Sequence, residues 1–281
     1  AVLGRLAIRL RAGRYDTAIV LHRSFGALRR LAALSGASTV VAAAPINGVE
    51  SSRDENRRAL SMLGIDDDGG PLEIWTTDAD RDSAARLTAE APGSGPLVGL
   101  HPGSDWSCQQ WLPERLAAVG SRLQVEVGAR LLITGAAGEA ALAAEVAEGL
   151  RGGAVNAAGR TSLAELVAVI QRLDLLVCVN SAPAAIARAV DTRAVVLLGP
   201  EDPRLTGLEE GPGLRVVQPG RRPAPGSWCE FGRWGLLSGC ESPMCRGLNG
   251  LGELDPGAVV AEAVELLARG PLAPRRTALG A

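Results

Sequence analysis

The chain has 281 residues, 47% of them hydrophobic and 21% charged, with a formal net charge of -2 and a pI of about 5.9. That length suits two domains of ordinary globular composition, and without a basic excess the chain is not built to track nucleic acid. All 29 basic residues are Arg, which excludes a Schiff-base lysine, a pyridoxal anchor and a Walker A lysine.

The opening stretch AVLGRLAIRLRAGRYD carries Arg throughout its apolar positions, so it reads neither as a signal peptide nor as a membrane span. YDTAIVLHRS (15–24) predicts a strand and its loop, FGALRRLAALSGA a helix with a glycine stop, and STVVAAAP a second strand. Residues 51–65 predict a polar helix with Leu60, Leu63 and Ile65 as its apolar side. DDDGG (66–70) predicts a solvated turn, PLEIW (71–75) a short extended piece, and RDSAARLTAEA (81–91) a helix. APGSGP (91–96) has the composition of a linker. It sets the domains at 1–90 and 91–270, with a disordered tail at 271–281.

The second half is more sharply patterned. PLVGLHPG (96–103) predicts a strand entering a loop, and Pro113 opens a helix with Leu112, Leu116, Val119 and Leu123 on one face. ARLLITG (129–135) predicts a strand and EAALAAEVAEGL (139–150) a helix; a short AVNAAG segment follows. Ser162 and Glu165 make a capping box before LAELVAVIQRL. DLLVCVN (174–180) predicts a strand, PAAIARAV a helix, RAVVLLGP (193–200) a strand, and LDPGAVVAEAVELLARG (254–270) a final helix. Unalternating strands that alternate with helices predict an α/β fold with a parallel sheet covered on both faces.

The common nucleotide and hydrolase motifs are missing: there is no G-x-G-x-x-G, no P-loop and no G-x-S-x-G. The strand ends carry the information, because open α/β sheets bind ligands beyond their carboxyl edges. Three of them hold small or hydroxyl residues near a helix start: HPGSDWSCQQW (101–111), AAGRTSLAEL (157–166) and VNSAPAAIARAV (179–190). One such loop is ordinary capping; three on one edge point to a site where backbone N–H groups hold phosphate.

HPGSDWSCQQWLPERL, LLITGAAGE, NAAGRTSLAEL, VNSAPAAIARAV and VVLLGPEDP, in that order, resemble glycosyltransferase family 9, the ADP-heptose:lipopolysaccharide heptosyltransferases and their relatives. The resemblance covers about 96–205 and is weaker over 15–65 and at CESPMCRGL. It implies a GT-B architecture of two Rossmann-like, doubly wound domains, the first on the acceptor side and the second holding the nucleotide-sugar. The implied activity is metal-independent transfer, with inversion, of a heptose-like sugar from an ADP-sugar to an acceptor hydroxyl. No cofactor is implied beyond that co-substrate, and the acceptor is a glycan, a glycolipid or a small molecule.

Position by position, Gly103 and Ser104 match the family's phosphate loop. Glu139 matches an acid near the ribose, Thr161 lies in the segment near the base, and Asn180, Ser181 and Ala182 fall at the diphosphate. Four positions depart from the family: Gln109 stands for its Lys, Asn180 for its Asp, Ala182 for its Gly and Ala185 for its His. Its opening strand and the loop with the catalytic acid would precede Ala1, so the chain resembles an N-terminally incomplete member, and no catalytic residue is assigned. The departures keep a second reading open, a degenerate GT-B nucleotide-binding protein without turnover. A different GT-B enzyme such as a sugar epimerase is the more distant one.

Other residues keep two readings. Cys229, Cys240 and Cys245 are loop thiols or, at C-x10-C-x4-C, a poorly spaced metal set. Trp106 and Trp111 shape the nucleotide loop or pack; His22 contacts an acceptor or solvent; Arg160 or Arg204 stands in for the missing Lys charge. Cys178 reads as a core residue. An odd count of five scattered Cys is no secreted disulfide framework, so the expected location is cytoplasmic. Peripheral membrane contact stays open.

Overall fold

Strands that are apolar on both faces need helices on both sides, and this chain supplies them in alternation. The computed structural model describes residues 2–21, 26–42, 52–67, 69–70, 72–104, 109–199, 203–208, 210–219 and 250–269. The predicted tail at 271–281, the Cys229–Cys245 loop, Trp106, Cys108, His22 and the Arg204 side chain lie outside the described residues. The chain parts into two compact units, one built on Ala1–Gly70 and one on Pro71–Pro200 with Glu209–Pro223 and Gly239–Ala281.

In the first unit, α1 (Val2–Ala12), β1 (Thr17–Val20), α2 (Gly26–Leu34), β2 (Thr39–Ala42) and α3 (Ser52–Ser61) follow one another. β1 and β2 are parallel, with Thr17 opposite Thr39 and Val20 opposite Ala42. Val41 and Ala59 are buried together and Leu63 packs on them. α3 ends at Ser61, short of the predicted 65, so Leu63 and Ile65 lie beyond the helix and Ile65 is exposed. Asp67 of the predicted turn pairs with Arg57. Leu72, Glu73, Ile74 and Trp75 are exposed and join no sheet.

The second unit contains α4 (Asp78–Ala89), β3 (Leu97–His101), α5 (Pro113–Val127), β4 (Arg130–Ile133), α6 (Ala140–Glu148) and β5 (Val155–Asn156). Then come α7 (Leu163–Arg172), β6 (Leu175–Val179), α8 (Ala182–Ala189), β7 (Ala194–Leu197), β8 (Leu214–Val217) and α9 (Pro256–Ala268). Its six strands lie in the order β5-β4-β3-β6-β7-β8 and every neighbouring pair is parallel. This is the doubly wound Rossmann order, with the direction of winding reversing between β3 and β6. Every residue of β3, β6 and β7 is buried. Leu116, Val119 and Leu123 of α5 and Val259, Ala263 and Leu266 of α9 pack in one core with Leu100, Leu131 and Val177 of the sheet.

The structure departs from the sequence reading in several places. Leu112 is 42% exposed, because it precedes Pro113 as the N-cap residue with extended backbone and never joins the helical face. α4 begins at Asp78 rather than at 81. The Asp80 amide donates to Thr77 Oγ1 at 3.2 Å and the Thr77 amide to Asp80 Oδ2 at 2.8 Å, a capping box earlier in the chain. β8 has no counterpart in the sequence reading, since Arg215 interrupts a four-residue apolar run.

The units divide at Gly70 and Pro71, ahead of the Pro/Gly/Ser-rich stretch, so α4 belongs to the second unit. It packs on α7, buries Ala84, Leu87 and Thr88, and receives Arg172 Nε at Thr88 Oγ1 (3.0 Å). Composition marks a bend in the chain at 91–96; helix packing decides the domain.

Candidate functional site

In a parallel sheet, every loop that follows a strand leaves from the same edge. The loops after β5, β4, β3 and β6 carry Thr161, Glu139, Gly103 with Ser104, and Asn180–Ala182. These four strands are consecutive neighbours in the sheet, so the predicted residues stand in one row along its carboxyl edge. The centre of the row is the reversal point between β3 and β6, where such sheets open a crevice. There His101 pairs with Cys178, so Gly103 and Asn180 each lie two residues beyond the same rung.

Neighbouring loops interlock. A Cβ built on Gly103 would lie 1.9 Å from Glu139 Oε1, 2.2 Å from Cδ and 2.6 Å from Oε2, so the Glu139 carboxylate rests directly on the Gly103 backbone. Glu139 Oε2 accepts from the Ala136 amide at 2.6 Å, which fixes the carboxylate over the turn Ala137–Glu139. The next loop is tied to this turn as well: the Gly159 amide donates to the Gly135 carbonyl at 2.9 Å. Gly159 takes a left-handed φ of +73°, and a side chain there would press on the Ala137 backbone.

His101 ends β3 beneath this row. It is buried, and its Nδ1 lies 2.9 Å from Thr134 Oγ1, the residue that follows β4. Burial pushes the imidazole below its ordinary value, while the Glu139 carboxylate pulls it partly back. In the loop after His101, Ser104 and Gln109 are buried together, and Ser104 Oγ donates to Gln109 Oε1 at 3.0 Å. Gln110 Nε2 donates to the Ser104 carbonyl at 2.7 Å, closing the loop on itself. Trp111 takes the packing role: it is 3% exposed, belongs to the main core, and its indole Nε1 has no acceptor among the described residues.

Two helices begin in the row. At α7 the predicted capping box is present: the Glu165 amide donates to Ser162 Oγ at 3.2 Å and the Ser162 amide to Glu165 Oε2 at 2.8 Å. Hydrogen bonds from Ser83 and from Ser162 hold the Glu165 carboxyl below its usual range. At α8, Ser181 is the N-cap residue but makes no side-chain cap; its Oγ donates back to the Val179 carbonyl at 3.2 Å. Pro183 has no N–H and the Ala184 amide donates to the Ser181 carbonyl at 3.0 Å, so in the first turn the Ala182 amide is the group placed to meet an anion.

Arg160, one of the candidates to replace the missing Lys charge, is already engaged. Its Nη1 and Nη2 grip Glu90 of α4's end at 2.9 and 2.6 Å. That hydrogen-bonded pairing lowers the carboxyl and raises the guanidinium. Cys178 is fully buried in β6, as its sequence context indicates, and burial pushes its thiol up. The sequence reading missed the structural reach of His101, which ends an apolar strand and gives no motif. Its proximity to Thr134 and Glu139 arises only from strand pairing.

The chain matches the model of glycosyltransferase family 9 (heptosyltransferase) over residues 54–216, more than half its length. No curated protein sequence matches it. Among solved structures it is similar to a glycosyl transferase of family 9 from Veillonella parvula, at 20% identity and a TM-score of 0.74, over 94% of this chain and 77% of that one. It is also similar to the ADP-heptose lps heptosyltransferase II of E. coli, at 18% identity and a TM-score of 0.64, over 94% and 80% of the two chains. For E. coli heptosyltransferase WaaC with ADP the values are 18% and 0.60, over 94% and 77%. These likenesses carry the fold: an α/β protein of the GT-B type.

Proposed function

Because the chain belongs to glycosyltransferase family 9, we propose that it transfers a heptose-like sugar from an ADP-linked donor to an acceptor hydroxyl, with inversion and without a metal ion. One observation carries this reading: four consecutive loops at the carboxyl edge bring Thr161, Glu139, Gly103, Ser104 and Asn180–Ala182 into a single row about the reversal point.

Each place in the row suits a part of the donor. The Glu139 carboxylate, fixed by the Ala136 amide, accepts hydrogen bonds from ribose hydroxyls, and Thr161 faces the base. Gly103 and Ser104 leave backbone close to phosphate oxygens. The Ala182 amide, behind Asn180 and Ser181, and the positive end of α8 take the diphosphate. In the reaction the acceptor hydroxyl gives its proton to a general base, its oxygen forms a bond to the anomeric carbon, and the bond to the diphosphate breaks. Negative charge grows on the leaving group, so donors fixed in advance around it lower the barrier.

The neutral Gln109 and Asn180 favour a second reading, nucleotide binding without turnover. Titration calorimetry with ADP, in the presence and absence of EDTA, tests the site. Binding that EDTA leaves unchanged is expected. Binding lost with EDTA overturns the metal-free part, and no binding overturns the donor site. Release of ADP from an ADP-sugar in the presence of an acceptor separates the transferase from the binder.

A further inference from the structure

Two polar side chains close neighbouring strands that are otherwise apolar. β3 reads Leu97, Val98, Gly99 and Leu100 before His101, and Leu131, Leu132 and Ile133 of β4 lead to Thr134. Both side chains are buried, and such groups cost free energy in the interior unless they are bonded. Here they meet each other, with His101 Nδ1 and Thr134 Oγ1 2.9 Å apart. A satisfied polar pair in a low-dielectric interior fixes one geometry where apolar packing would allow several.

The pair stands at a joint. Beside it, the Thr134 amide donates to the Leu100 carbonyl at 2.9 Å, at the point where both chains leave the sheet. Gly103 follows His101 by two residues and Gly135 follows Thr134 directly. A Cβ on Gly103 would overlap the Glu139 carboxylate, and one on Gly135 would lie 3.3 Å from Oε2 and 3.4 Å from the Glu139 Cβ. The carboxylate is therefore seated on two glycine backbones, each starting from one member of the bonded pair. The Gly135 carbonyl also receives the Gly159 amide, so the loop of Thr161 hangs from the same joint.

We propose that His101 is a positioning residue of the donor site: by holding Thr134 it fixes the two backbone supports of Glu139, and so sets how strongly the ribose hydroxyls are gripped. This role rests on the reading of Glu139 as the acid that receives the ribose. The imidazole touches no ligand; it acts through Thr134, Gly103 and Gly135. The electrostatic pull of Glu139 on the imidazole agrees with that arrangement, since it sets the two groups in one neighbourhood.

Calorimetric titration of ADP and of dideoxy-ADP, which lacks both ribose hydroxyls, separates grip on the ribose from binding of the rest. The wild type should prefer ADP roughly 10-fold or more, and Glu139→Gln should erase most of that preference. Thr134→Val takes the hydroxyl from one side of the bond and His101→Leu the imidazole from the other. Each should cut the preference roughly 5-fold to 10-fold and leave the affinity for dideoxy-ADP unchanged. Thr134→Ser keeps the hydroxyl and should keep the preference. In a Glu139→Gln background Thr134→Val should remove nothing further. Urea unfolding checks the fold, and Thr134→Val, close to the wild type in shape, serves where His101→Leu does not fold. A preference kept in full by Thr134→Val, or equal weakening of both nucleotides, overturns the proposal while Glu139 keeps its role. A preference that survives Glu139→Gln, or is missing from the wild type, overturns the reading of Glu139 and the proposal with it.

Discussion

Replacing Gly103 by Ala puts a methyl group where the Glu139 carboxylate rests. The added carbon would meet Oε1 at 1.9 Å, Cδ at 2.2 Å and Oε2 at 2.6 Å. Relieving such an approach moves the carboxylate by about 1.5 Å or more, since favourable contacts begin near 3.5 Å. The obstructing group is the end of a flexible side chain, so the fold gives way locally. What is lost is the bond from the Ala136 amide to Oε2. Such a bond to a charged group is worth about 1.5–3 kcal/mol, and partial exposure reduces its share of stability to about 1 kcal/mol or less. The effect on ligand is larger if Glu139 receives the ribose: the same 1.5–3 kcal/mol weakens ADP roughly 10-fold to 150-fold. Calorimetric titration of ADP into the wild type, Gly103→Ala, Glu139→Gln and the double variant measures this, with urea unfolding in parallel. Both single changes act through one carboxylate, so the double variant should lose little more than either alone. Full additivity, or an unaltered ADP affinity in Gly103→Ala beside a weakened Glu139→Gln, would falsify the link between Gly103 and the ribose acid.

Gln109→Lys gives up the bond from Ser104 Oγ and sets a charge at a buried position. Without ligand it should lower stability in urea by about 1–3 kcal/mol, while an ammonium within reach of the diphosphate should tighten ADP roughly 5-fold to 30-fold. Unchanged or weaker binding means that this loop does not face the phosphates. His101 makes stability depend on pH. Its folded value lies below the ordinary 6.5 because burial outweighs the pull of Glu139, so an unfolded chain binds the proton more readily. The stability held by neutral His101 is complete above about pH 6.5 and falls as pH drops toward the depressed value, by up to about 1.4 kcal/mol per pH unit. Urea unfolding between pH 5 and 7.5 should show a shallower fall in His101→Gln; parallel curves would contradict the assignment.

Most of the second unit was legible because its strands are apolar without alternation and its helices carry local stop and start signals. Ser162 with Glu165 and Pro113 with Leu116, Val119 and Leu123 are complete within a few residues, and the structure forms them as the sequence implies. What failed depends on distant partners. α4 looks like a neighbour of the preceding segment until Thr88 meets Arg172 and Glu90 meets Arg160 across the second unit. β8 is stable as a strand only because β7 lies beside it. In the site, each loop could be read alone as a phosphate-binding turn, but the row depends on strand order. The approach of Glu139 to Gly103, 36 positions earlier in the chain, leaves no local trace except the glycine itself.

The reversal between β3 and β6 also orders events during synthesis on the ribosome. Leu97 and Asp174 are joined twice: the Leu97 amide donates to Asp174 Oδ2 and the Asp174 amide to the Leu97 carbonyl, each at 2.8 Å, across 77 residues. Until Asp174 emerges, β3 can pair with β4 on one side while its other edge, apolar along its length, stays open to any passing strand. Residues 130–172 must therefore be made before the central strand can be sealed. Asp174, a charge at the mouth of an otherwise apolar strand, discourages β6 from adding to foreign edges while it waits. Its carboxylate is discharged of that duty when the Leu97 amide takes it up, and β7 and β8 can then add outward in the order in which they are translated.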